Sequence, residues 1–239
     1  MQLKAKQDKR KLAVLIDPAK ENLETARKKA LEADLAGVDY LFVGGSLTGN
    51  ETEAIVLTLK SHCNLPVVLF PGNILQITDK ADSLLLLSLI SGRNPEMLIG
   101  RHVTAAPLLR KTQLDIVPVG YMLIDGGKQS SAEYISDSRP IPADKADIAA
   151  ATAVAGEMLG LKMIYLEAGS GALNPVSPKL IAEVRKHVEI PIIVGGGIRH
   201  PKQANAAYEA GADLLVVGNV FEQKGSSIAD FTKALRRNR

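Results

Sequence analysis

The sequence predicts an α/β fold, a TIM-type (β/α)8 barrel. Two observations carry this. Short apolar runs alternate with helical spacing along the whole chain, eight strands against about seven helices, which favours a closed barrel over an open sheet. The stretch Ile190–Phe221 then reads as strand, glycine loop, helix, strand, glycine loop, a βαβ unit. Its loops, Gly195–Gly197 and Gly218-Asn219, bring bare backbone N–H groups toward an anion. Barrels of this type often hold a phosphate between the loops after strands 7 and 8 and a short extra helix, which Val220 and Phe221 would begin. The plainer reading is that these glycines only make tight turns.

Taken in order, Leu12–Ile16 is an uninterrupted apolar run, as a parallel strand buried on both faces should be. It stops at Asp17-Pro18. Helical spacing follows over Glu21–Leu35, with Gly37 as its cap. Tyr40–Val43 is the second strand and Glu51–Lys60 the second helix. Val67–Phe70 is the third strand. Only Pro71–Ser83 separate it from a fourth strand at Leu84–Leu87. A parallel crossover wants about a dozen residues, usually including a helix. The third helix is therefore expected to be reduced to a turn or an extended segment, leaving a gap in the outer ring. A short tilted helix over Ile74–Lys80 is the alternative.

Pro95–Arg110 is the fourth helix, kinked at Pro107. Leu114–Ile124 is a long strand, and Pro118 and Gly120 within it suggest a bulge. Asp125–Pro142 is a polar loop. Ala146–Leu161 is Ala-rich and apolar on most faces, as a buried or subunit-contact helix would be. Lys162–Glu167 is the sixth strand. Ser177 caps a helix ending near His187, with Pro178 in its first turn. Ser226–Arg236 closes the barrel. Residues 1–239 read as one domain.

Composition narrows the function. Net charge is +3 and Trp is absent, and the basic residues Arg236, Arg237 and Arg239 fit a solvated tail. Nucleic-acid binding is not expected. One cysteine, Cys63, permits no internal disulfide, and a cytoplasmic, reducing setting fits. The polar start MQLKAKQDKRKL has no signal-peptide core. The apolar run Leu84–Ile90 falls far short of the roughly 20 residues of a membrane helix.

Catalytic groups in such barrels sit at the C-terminal ends of strands. That rule selects Asp17, Ser46, Asn73, Asp125, Glu167, Ser170, Gly195–Gly197 and Gly218-Asn219. Asp17 is placed to hold a hard cation, or else to cap the next helix. Tyr165 and Glu167 alternate on one strand, so both point into the lumen. A buried Glu has a raised pKa and can take a proton from a hydroxyl; the alternative is a salt-bridged core Glu. Gly169, Ser170 and Gly171 would wrap a small polar ligand. The four histidines lack metal-ligand spacing, and His200 is at most a support for the Gly195–Gly197 loop. No G-x-G-x-x-G fingerprint is present.

The motifs LIDPAK (15–20), VGGSLTG (43–49), VLFPGN (68–73), YLEAGSGA (165–172), VGGGIR (194–199) and VVGN (216–219) together resemble the geranylgeranylglyceryl phosphate synthase family. That family includes the bacterial heptaprenylglyceryl phosphate synthases. The resemblance implies transfer of a polyprenyl group, geranylgeranyl foremost, from its diphosphate to the primary hydroxyl of sn-glycerol 1-phosphate. It implies that Tyr165, Leu166, Glu167, Ala168, Gly169, Ser170, Gly196, Gly197, Gly218 and Asn219 hold the glycerol phosphate. It implies Asp17 and Ser46 as ligands of a Mg²⁺ ion on the diphosphate, and Glu167 as base. It also implies a prenyl groove along the barrel's side, peripheral contact with membrane lipid, and a homo-oligomer, a dimer or hexamer. Some bacterial relatives carry Lys where this chain has Leu15, which points to a different subgroup. Two other readings stay open: a sugar-phosphate isomerase or aldolase, with Asp125 as a second acid, and a non-catalytic phosphate-binding barrel.

Overall fold

A computed structural model describes residues 10–45, 51–218, 221 and 227–236. Ser46, Asn219, Val220, Ser226, Arg237 and Arg239 lie outside the described residues, as does the side chain of Arg236. Two of the expected ligand positions, and the start of the extra helix, are therefore outside them too. Phe221 does form a turn, its N–H donating to the Gly218 carbonyl at 2.9 Å.

Eight strands close in chain order into a parallel barrel: β1 (Lys11–Ile16), β2 (Tyr40–Val43), β3 (Val67–Leu69), β4 (Ser83–Leu89), β5 (Asp115–Leu123), β6 (Met163–Glu167), β7 (Ile192–Gly195) and β8 (Leu214–Val217). β1 seals it by pairing with both β2 and β8. The apolar runs split by parity, as side chains on a strand must. Ala13, Phe42, Val68, Leu85, Val119, Tyr165, Ile193 and Val216 fill the lumen. Leu12, Val14, Leu41, Ile164, Leu166 and Val194 face the helices.

The helices are α1 (Leu23–Ala36), α2 (Thr52–His62), α3 (Arg101–Leu109), α4 (Ser131–Ser136), α5 (Ala146–Met158), α6 (Pro178–His187), α7 (Pro201–Glu209) and α8 (Ile228–Arg236). Their ends follow the expected chemistry. The Asn22 side chain accepts the Thr25 N–H and Gly37 ends α1 at φ 69°. Ser177 accepts the Leu180 N–H before Pro178 opens α6.

The crossover from β3 to β4 holds only a 3-10 turn, Ile74–Gln76. In place of a helix, the buried Gln76 amide staples two loops. Its Oε1 accepts the Gly72 N–H at 2.7 Å, and its Nε2 donates to the Gly45 carbonyl at 2.8 Å. The outer face of β4 at Leu84 and Leu86 is thereby left open to a cavity.

Three sequence expectations are corrected. β5 carries no bulge: its register to β4 is unbroken from Ser83↔Asp115 to Leu89↔Tyr121. Pro118 is tolerated because its carbonyl takes the Lys162 N–H. Its missing N–H faces the same side, below the point where β6 begins at Met163. The Pro95–Arg110 helix is not uniform. A π-turn at Glu96–Gly100 precedes α3, and α3 runs on through Pro107. Finally, the Asp125–Pro142 loop contains α4, capped by Ser130 accepting the Glu133 N–H.

The N-terminal rim is a stability device. Asp39, Asp82 and Asp213 stand just before β2, β4 and β8. Each accepts the N–H that opens the preceding strand's ladder, at Leu12, Val67 and Ile192.

Candidate active site

At the opposite rim the strand ends surround a cavity of about 490 Å³. It has two parts. The polar part lies over the barrel mouth, bounded by Asp17, Gly45, Glu167, Gly169–Gly171, Gly196, Gly197 and Gly218. The apolar part runs down the side through the missing-helix gap, past Ile77, Leu84, Leu86, Met97, Ala105 and Leu109.

Glu167, the last residue of β6, is 7% exposed and stands where the two parts meet. Its Oε1 accepts the Gly169 N–H at 2.7 Å. Burial drives its pKa from 4.5 up to about 7, against the pull of the Gly169 N–H and the Tyr165 hydroxyl. Taking a carboxylate out of water disfavours its charged form, while donors favour it. Here burial wins. No Lys or Arg lies within ion-pair distance of Glu167 among the described residues, so it is not a salt-bridged core carboxylate.

The neighbouring glycines make room for this group. A Cβ on Gly195 would lie 2.5 Å from Tyr165 Oη and 2.6 Å from Glu167 Oε2. One on Gly196 would lie 2.5 Å from Glu167 Oε1. Gly196 and Gly197 hold φ of 79° and 70°, which a side chain would strain. Among the described residues none accepts the N–H groups of Gly196 and Gly197, so they can serve an anion in the polar part.

Tyr165 is fully buried, stacked on Phe70 with ring centroids 5.2 Å apart and edge-on to Tyr121 at 5.3 Å. The trio floors the polar part. Burial, and then the Glu167 charge, push both tyrosine hydroxyls well up, so both stay neutral donors. Phe70 and Tyr121 were absent from the expected site. The parallel register that pairs Tyr121 with Tyr165 was the signal.

Of the other expected residues, Asp17 lines the cavity, its Oδ1 accepting the Ala19 N–H at 3.0 Å. Ser170 and Gly218 also line it. Asn73 does too, while its Oδ1 accepts the Leu75 N–H. Leu166 and Ala168 turn into the outer core, so only the backbone of that segment is near the ligand space. Asp125 is exposed, accepts the Gly127 N–H and does not line the cavity. His200 is exposed as well. The Gly195–Gly197 loop is followed instead by Gln203, whose Oε1 accepts the Arg199 and His200 N–H groups. His102, unassigned by sequence, lies in the apolar part with Nε2 on the Leu87 carbonyl at 2.9 Å.

A profile of the PcrB family matches residues 5–235. The chain belongs to the PcrB family. Its relatives include the geranylgeranylglyceryl phosphate synthase of Zunongwangia profunda, 53% identical over 91% of this chain and 93% of that one. The enzyme of the same name from Spirosoma linguale is 50% identical over 94% and 90%. Among solved structures, (S)-3-O-geranylgeranylglyceryl phosphate synthase from Thermoplasma acidophilum, in complex with its substrate sn-glycerol-1-phosphate, superposes with a TM-score of 0.90. It is 31% identical, over 96% of this chain and 94% of that one. The PcrB-family barrel and the family resemblance read from the motifs therefore agree.

Proposed function

We propose that this protein joins a long-chain polyprenyl diphosphate, geranylgeranyl foremost, to the primary hydroxyl of sn-glycerol 1-phosphate, releasing pyrophosphate. One observation carries the reading. A carboxylate with a pKa near 7 stands between an anion-receptive glycine rim and an apolar side groove. The N–H groups of Gly196 and Gly197 receive the glycerol phosphate, with Gly218, Ser170 and, by the resemblance, Asn219. Its free hydroxyl then lies by Glu167. The prenyl chain enters the groove past Leu84 and Ala105. The hydroxyl oxygen bonds to the first prenyl carbon, the carbon–oxygen bond to the diphosphate breaks, and pyrophosphate leaves with the electron pair. Glu167 accepts the hydroxyl proton, which a group of pKa near 7 does effectively at neutral pH. The aromatic floor excludes water from the allylic carbon.

The cavity suits a Mg²⁺ ion on the diphosphate. Mg²⁺ commonly takes one or two carboxylates together with substrate phosphates. Asp17 offers one at the cavity wall, and Gly45 keeps space beside it, since a Cβ there would lie 2.5 Å from Asp17 Oδ1. Asp17, with Ser46 by the resemblance, would hold the ion. It would neutralise charge on the leaving group.

The isomerase or aldolase reading finds less support: Asp125 lies off the cavity, and the one Lys on the cavity wall among the described residues, Lys20, stands 3.9 Å from Asp17 Oδ2. The test is an assay with glycerol 1-phosphate, Mg²⁺ and prenyl diphosphates of graded length. Turnover with glycerol 1-phosphate and rejection of glycerol 3-phosphate is the expected result; absence of prenyl transfer refutes the proposal.

Self-association belongs to the same reading. Ile99 in the π-turn and Val103 and Leu108 on α3, with Ile148, Met158 and Leu159 on and after α5, are exposed apolar side chains. Sedimentation at micromolar concentration is expected to show a dimer or hexamer; a monomer overturns this. No helix among the described residues is long and apolar enough to cross a membrane; peripheral contact with membrane lipid is part of the same proposal.

A further inference from the structure

We propose that Arg101 binds the diphosphate leaving group and marks the point where the polar head of the prenyl substrate ends and its tail begins. This rests on the prenyl-transfer reading above. The cavity-facing residues of the π-turn and α3 are Met97, Arg101, His102, Ala105 and Leu109. Three of these are purely apolar, and Arg101 is the one permanent charge. Its place follows from the π-turn, a wide turn often found at functional sites, in which the Arg101 N–H reaches back to the Glu96 carbonyl.

The guanidinium is half-buried and bridges to the β3 loop, where Nη1 donates to the Gly72 carbonyl at 2.5 Å. It makes no ion pair with any described carboxylate. An arginine carries five donors, so most of its fork remains available. The other permanent cations on the cavity wall are differently engaged. Lys20 Nζ stands 3.9 Å from Asp17 Oδ2. Arg199 spends its two Nη groups on the Leu173 and Ala172 carbonyls, at 3.1 and 2.5 Å. A half-buried guanidinium with spare donors, held rigid beside Asn73 at the top of an apolar groove, fits a phosphate bidentately. It also steadies the charge that builds on the departing oxygen. Glycerol phosphate, by contrast, is assigned to the glycine rim on the far strands β6–β8.

The experiment compares the full chain with Arg101→Met and Arg101→Lys. Pyrophosphate, with Mg²⁺ present, and glycerol 1-phosphate are titrated separately by calorimetry, and thermal unfolding checks the fold. Arg101→Met is expected to weaken pyrophosphate binding about 10- to 100-fold, the range for losing hydrogen bonds to a charged group. Glycerol 1-phosphate affinity should stay within about twofold. Arg101→Lys, which keeps the charge and can still reach Gly72, should fall between. In turnover, KM for the prenyl diphosphate should rise. Unchanged pyrophosphate affinity in Arg101→Met would sink the assignment, as would a parallel loss of both ligands, the mark of a merely structural role. If the wild-type chain bound neither pyrophosphate nor a prenyl diphosphate, the transfer reading itself would fall. If it bound them and the variants matched it, Arg101 alone would.

Discussion

The carboxylate of Glu167 occupies the space that a side chain at Gly196 would need: a Cβ there would come within 2.5 Å of Oε1. The glycine rim is therefore part of how this carboxylate is held, besides the phosphate cradle we propose for it. Gly196→Ala is the direct test. The alanine would have to keep a φ near 79°, which costs about 1–2 kcal/mol for a residue with a Cβ, and would push Glu167 off its place. A displacement of about 1 Å at a reacting group can cost about 100-fold in rate. We expect kcat to fall by about that factor with the protein still folded; near-wild-type turnover would show that Glu167 and Gly196 are not coupled.

The raised pKa of Glu167 predicts a pH profile. In the proposed mechanism the ionised carboxylate is the base, so kcat/KM should rise tenfold per pH unit up to about pH 7 and level off above it. A limb near pH 4.5 would remove Glu167 from the role. The same group affects stability with the opposite sign. Between pH 4.5 and about 7 the folded chain binds more protons at Glu167 than the unfolded chain does, so its contribution to stability falls as pH rises. Glu167→Gln lacks that slope. Above pH 7 it should be the more stable protein, by about 3 kcal/mol at most, while losing turnover and keeping glycerol phosphate binding. Denaturant melts at pH 5 and pH 8 read the difference.

Most of the barrel was legible because most of its strands are apolar runs and its helices are punctuated by Gly37, Ser177 and Pro178, whose preferences are local. The reduced third helix was legible too, from chain length between Phe70 and Leu84 alone. What escaped depends on partners far along the chain. Pro118 signals a bulge by itself, and only the late start of β6 makes a bulge unnecessary. Pro107 marks a kink by its chemistry, whereas no single residue announces the π-turn at Glu96–Gly100. Gly195 and Gly196 read as phosphate loops, yet their contact with Glu167 needs β6 and β7 side by side, Glu167 in register with Gly195. Phe70, Tyr121 and Arg101 come from three separate parts of the chain and line one cavity only once the barrel closes.

Tyr165 lends itself to a subtler test than Glu167. Its hydroxyl lies beside the Glu167 carboxylate, both within 2.6 Å of where a Gly195 Cβ would sit, and favours the ionised form. Tyr165→Phe keeps the ring on Phe70 and removes that hydroxyl. The Glu167 pKa should then climb further, moving the acid limb of kcat/KM to higher pH with the plateau less affected. A limb that stays put would mean that the hydroxyl serves the substrate instead.

Groove length is set by what stands along it, and Ala105 is the residue to alter. It lies on α3, buried, with its small side chain on the cavity wall between Arg101 and Leu109. Ala105→Phe adds a ring where the prenyl tail should pass, well away from Glu167 and the glycine rim. Overpacking at one wall position costs about 1–3 kcal/mol, which the chain can pass on to the substrate by excluding the tail's far end. Turnover with a long prenyl diphosphate should drop at least about tenfold for a loss of that size, while a shorter prenyl diphosphate keeps close to its wild-type kcat/KM. Equal loss for short and long chains would place the tail elsewhere, and the side groove opened by the missing third helix would need another occupant.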